Sequence, residues 1–183
     1  MDPVLGPTLF KLAIPTLTVG AVLAVSRMKG VSWTDDLGFK APAPKTILAW
    51  LAAWCLLILG EEFLIRTLGM TQAQPWPEYS LLIVALRILA IGIMGPLAEE
   101  TVVRGLLLHK LGGTKLGPTG AMLVLAALWA AAHYKYGLGT VAMIAFDGVI
   151  LGLARQKGGS LWIPISMHML GNCISIGQSL GAW

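Results

Sequence analysis

The chain has 183 residues, 56% of them hydrophobic and only 12% charged, with a mean hydropathy of +0.77. Soluble domains carry about 25% charged residues, so the composition excludes an ordinary soluble protein and points to an integral membrane one. The formal charge of +4 sits in short basic loops between apolar runs, which argues against nucleic-acid binding and suits the positive-inside rule.

A helix crosses the hydrocarbon with about 20 apolar residues, and six stretches qualify as candidate spans. The first, residues 4–26, lacks the basic start, short apolar run and small-residue cleavage site of a signal peptide, and is read as a retained span. Residues 27–45 form a polar loop with Arg27, Lys29, Lys40 and Lys45. The second span, 45–64, ends in Glu61-Glu62-Phe63-Leu64-Ile65-Arg66, read as a solvated helix end. A loop over 65–79 leads to the third span, 80–96, which runs on into Glu99-Glu100-Thr101-Val102-Val103-Arg104. Spans four, five and six are expected at 118–133, 138–154 and 159–182.

The expected fold is thus an all-α, polytopic transmembrane helix bundle of about six spans. Residues 1–183 form a single membrane domain. The alternation of basic loops places both termini outside and the basic loops in the cytoplasm. Trp33, Trp50, Trp54, Trp76, Trp162 and Trp183 read as an interfacial belt. Cys55 and Cys173, both in apolar segments, read as buried thiols rather than a disulfide framework.

Ionisable groups in membrane-grade sequence are costly and mark function by default. Glu99 and Glu100 precede the Gly112–Pro118 turn by about a dozen residues, roughly 18–20 Å of helix, and His133 follows it by roughly 22 Å. His168, with Asn172 one turn on, lies roughly 15 Å from the basic turn at Arg155 to Gly159, on the same face of the membrane. Asp147 falls at a similar depth. Helical spacing therefore puts these groups in one slab of the membrane. Glu100 and Arg104 can pair at i,i+4. His168 and Asn172, also i,i+4, can aim donors at one developing oxyanion. A carboxylate beside a neutral histidine can activate water against a carbonyl. These parts suffice for peptide hydrolysis without a serine nucleophile and without a cofactor or metal.

At these residues the chain resembles the CPBP family, which comprises the CAAX proteases and bacteriocin-processing enzymes, also called Abi-type glutamic intramembrane proteases. The family pattern E-E-x-x-x-R, F-x-x-x-H, H-x-x-x-N reads here Glu99-Glu100-x-x-x-Arg104, Trp129-x-x-x-His133 and His168-x-x-x-Asn172. Pro96 before the glutamates and Gly159 to Ile165 before His168 also fit. The resemblance covers a protease core at about 90–178. It implies that Glu99 and His133 activate water, that His168 and Asn172 hold the oxyanion, and that Glu100 and Arg104 support them. Trp129 stands where phenylalanine is usual and is expected to alter pocket shape. Asp147 is an acid where an apolar residue is expected, and is assigned with Trp129 to substrate binding.

The expected substrate is a membrane-anchored protein or peptide precursor cut near its C-terminal or anchored end. The bilayer is the other partner, and a prokaryotic cell membrane is the favoured location. Two alternatives stay open. One is a zinc-dependent membrane hydrolase using Glu99, His133 and His168. The other is a non-catalytic transport or scaffold protein, since intramembrane acids and histidines also build proton relays. His109 reads as a surface residue at a helix end, and Arg87 as a cation that snorkels or pairs elsewhere rather than entering the site.

Overall fold

A computed structural model describes residues 3–70 and 75–181. Six helices carry the described chain: α1 (Leu5–Met28), α2 (Pro44–Thr67), α3 (Leu81–Gly112), α4 (Gly117–Ala132), α5 (Leu138–Gly158) and α6 (Trp162–Ser179), with no strand among the described residues. Helices α1, α2, α3 and α5 are long and apolar enough to cross a membrane, and α4 is a shorter apolar helix. Side chains such as Phe10, Leu17, Leu48, Leu56, Leu59 and Phe63 point outward. That is the arrangement of an integral membrane protein, whose outer surface meets lipid rather than water.

The third helix runs on through the Glu-Glu segment, as expected, and reaches Gly112. The reason is local. Pro96 lacks an N–H and its ring crowds the preceding turn, which would break a regular α-helix in water. Here the backbone widens into π-helix over Ile88–Met94 and again over Thr101–Leu107, and continues to Gly112. Local π adjustments of this kind keep a proline-bearing membrane helix intact. As a result Glu99, Glu100 and Arg104 ride on the same helix as the third span.

Helices α4 and α5 approach closely because the seam is built of small residues. A Cβ on Gly148 would stand 3.0 Å from the Ala126 Cβ, and one on Gly152 would strike Met122. Helix α6 lies against α2, α5 and α3. It buries Ile163 and Met167 with Trp54, Leu151 and Ala154. Helix α1 packs along α3.

The basic end of the bundle is closed by the 27–45 loop. Leu37 is fully buried there, the Leu161 N–H donates to the Gly38 carbonyl (2.7 Å), and Ser160 Oγ donates to the Lys40 carbonyl (2.6 Å). Gly38 has φ +87°, and a side chain there would strike the Arg155 guanidinium, so glycine is required on two counts. At the other end the Trp76 N–H donates to the Ser179 carbonyl (2.8 Å), tying the 75–80 segment to α6.

Three expectations need correction. Trp54 is not part of a belt; it is 4% exposed and sits in the α2–α5–α6 core. Cys55 and Cys173 are free thiols on the outside of the bundle, not buried ones. Both errors have one cause: lipid is as apolar as a protein core, so an apolar neighbourhood in sequence does not tell inside from outside. The third is Glu61, which is half-buried rather than solvated. Trp183 and the end of the expected sixth span lie outside the described residues.

Candidate active site

The glutamate helix and α4 run side by side and antiparallel from their shared turn, and nearly equal lengths bring Glu99 level with Trp129. The Trp129 indole Nε1–H donates to Glu99 Oε2 (2.8 Å). The same indole meets the His133 ring edge-on at 5.3 Å between centroids and the His168 ring at 5.4 Å. The Arg104 guanidinium lies over it at 4.6 Å. Trp129 is therefore the point where α3, α4 and α6 present their polar groups to one another. The sequence reading gave it a role in pocket shape and substrate binding, not in holding the catalytic groups. A phenylalanine could supply the ring but not the N–H that holds Glu99.

His133 terminates α4, and its Nδ1 lies 2.8 Å from the Trp129 carbonyl oxygen. A carbonyl only accepts, so Nδ1 carries the proton and Nε2 of the neutral ring is left as the basic nitrogen. Tyr136 stacks on the ring at 5.8 Å. Half-buried Glu99 and half-buried His133 thus border the same indole, each with one acceptor position not spent on these bonds.

Behind them lies a fully buried ionic cluster. Glu100 Oε1 accepts from Arg104 Nη1 (2.8 Å) and from His168 Nδ1 (2.9 Å). Arg104 Nη2 donates to the Gly148 carbonyl (3.2 Å), which anchors α5. Glu100 is 0% and Arg104 3% exposed. Each charge has a partner, as burial demands, and the cluster fixes which His168 nitrogen faces away from Glu100. Asp147, next to Gly148, lies within electrostatic reach of both Arg104 and His168.

Asn172 reaches a different partner from the one expected. Its Nδ2 donates to the Ile91 carbonyl in the first π segment (2.8 Å). One amide proton is committed there, and the second remains available.

The second acidic motif splits. Glu62 and Arg66 form an exposed i,i+4 pair (2.6 Å), as a helix end would, and Glu62 Oε2 accepts from Gln178 Nε2 (3.0 Å). Glu61 is half-buried and comes close enough to Asp147 to interact with it electrostatically. Reading Glu61 as solvated was wrong, because α2 lies against α5 along that face. No signal in the sequence pairs residues 61 and 147. His109 is on the surface, 3.9 Å from Asp36. Arg87 packs its guanidinium over Trp76 (4.6 Å) and Tyr79 (5.0 Å) and stays away from the glutamates. Among the described residues no three His, Cys, Asp or Glu side chains gather in a metal-binding arrangement.

Comparison with known proteins agrees with the motifs. The chain is 31% identical over 128 residues to an uncharacterized 24.3 kDa protein of Escherichia coli, an alignment covering 66% of this chain and 58% of that protein. The chain thus spans well under two thirds of that relative's length. No solved structure matches it. Residues 81–174, from the start of α3 to just past Asn172, match the family described as type II CAAX prenyl endopeptidase Rce1-like, and the chain belongs to that family.

Proposed function

We propose that the protein is an intramembrane endopeptidase that hydrolyses a peptide bond near the C-terminal or membrane-anchored end of a protein or peptide precursor. The observation that carries this reading is the single indole of Trp129 in contact with the Glu99 carboxylate and both imidazoles. Three helices bring an acid and two histidines to one place inside an apolar bundle.

In the proposed reaction Glu99 and His133 Nε2 draw a proton from water as its oxygen attacks the scissile carbonyl carbon. The carbonyl electron pair moves onto oxygen, and N–H groups of His168 and Asn172 stabilise that charge. For His168 Nε2 to donate, the ring must carry both protons. Glu100, held ionic by Arg104, is then the counter-charge at Nδ1. Collapse of the intermediate breaks the C–N bond, and the proton taken from water passes to the leaving amine. Trp129, at the centre of the polar cluster, and Asp147 are the residues proposed to bind substrate.

This arrangement supports direct water activation over the zinc reading. The three groups that would ligate zinc surround the Trp129 indole. The substrate class favoured is a prokaryotic membrane-anchored precursor. Co-expression with candidate precursors, comparing wild type with Glu99→Ala and His133→Ala by product mass, tests the proposal. Cleavage should vanish in both variants. Products that persist in both would refute it, and a wild type that makes no product would favour a transport or scaffold role.

A further inference from the structure

Within α3, the Gly95 N–H donates to the Ala90 carbonyl, a bond of π register that skips the Ile91 carbonyl. In the same register Ile91 would receive the N–H of residue 96. Residue 96 is Pro96, fully buried and with no N–H to give. The Ile91 carbonyl is thus orphaned by the chain's own sequence. An unsatisfied backbone carbonyl inside a membrane bundle is costly. The group that satisfies it is Asn172 Nδ2, at 2.8 Å.

We infer that Pro96 is a positioning residue for Asn172: by withholding a backbone donor from Ile91, it compels the Asn172 amide to bond there and so fixes the direction of the remaining N–H. A carbonyl can only accept, so the bond also decides which end of the amide faces α3. Gly92 makes the approach possible. A Cβ at that position would meet Ile176 Cδ1 at 3.3 Å and Cys173 Sγ at 3.4 Å, both on the helix that carries Asn172. Pro96 never touches substrate; it acts through the amide one helix away. The functional consequence rests on the proposed peptidase reading, whereas the hydrogen bond itself does not.

Asn172 is the only asparagine in the chain, so side-chain 15N labelling of asparagine gives one amide signal. In full-length protein in lipid nanodiscs, with isoleucine carbonyls 13C-labelled, the Asn172 nitrogen should show a carbonyl carbon within about 4 Å. In Pro96→Ala, residue 96 donates to Ile91. That contact should disappear, and exchange of the Asn172 amide protons should quicken at least tenfold. On a cleaved substrate, Pro96→Ala should lower kcat about tenfold or more with KM within about threefold, and should have no further effect in an Asn172→Ala background. Such non-additivity separates coupled from independent residues, and a merely structural proline would harm both backgrounds equally. Absence of the wild-type contact, or its survival in Pro96→Ala, overturns the inference, and the wild-type measurement stands even if the variant misfolds. Lack of wild-type proteolysis with the contact present refutes the peptidase reading alone.

Discussion

The chain contains E-E-x-x-x-R twice, and the two copies share an i,i+4 ion pair but not its surroundings. In α2, Glu62 and Arg66 pair at 2.6 Å with the guanidinium 61% exposed. In α3, Glu100 and Arg104 pair at 2.8 Å with both side chains essentially sealed, and a histidine and a backbone carbonyl from two further helices complete the cluster. The first copy is a helix-end ion pair of small energetic weight. The second is a buried network whose members depend on one another. The lesson is that the spacing creates an i,i+4 pair in either place, but only tertiary neighbours turn the pair into a scaffold for a reactive site.

That contrast can be broken in several ways. Arg104→Ala leaves the Glu100 carboxylate buried with only His168 for a partner, and should cost about 3–5 kcal/mol, seen as a large fall in thermal stability in detergent together with loss of cleavage. His168→Ala should keep the fold and lower kcat about 10²- to 10³-fold, the usual cost of an oxyanion donor, measured by product formation under saturating substrate. Trp129→Phe retains the ring and removes the N–H to Glu99. A hydrogen bond to a charged group is worth about 1.5–3 kcal/mol, so kcat should fall about 10- to 100-fold while the far-ultraviolet spectrum stays unchanged. Arg66→Ala should cost about 1 kcal/mol or less and leave cleavage within about threefold. Large losses in Arg66→Ala would erase the distinction between the two motifs.

The sequence carried much of the site and less of its wiring. Glu99, His133 and His168 were legible as one slab because helix rise converts residue counts into depth, and short turns fix which helices run side by side; the central place of Trp129 was not. The ion pair of Glu100 with Arg104 followed from i,i+4 spacing. What stayed hidden depends on register and rotation about helix axes. The bond of Asn172 to Ile91 exists because α3 changes to π register beside Pro96, which no apolar periodicity announces. The half-burial of Glu61, the burial of Trp54 and the outward cysteines share another cause: with lipid outside and apolar side chains inside, no polarity contrast marks which helix face packs.

The central claim is that Glu99 directs a water molecule onto a peptide carbonyl. The most direct measurement is cleavage of a membrane-anchored peptide precursor in H2(18)O by purified wild-type protein and by Glu99→Gln, read by mass spectrometry of both fragments. The account predicts one 18O in the new carboxylate from wild type, and product from Glu99→Gln reduced at least about 10²-fold. Cleavage by Glu99→Gln at the wild-type rate would contradict it.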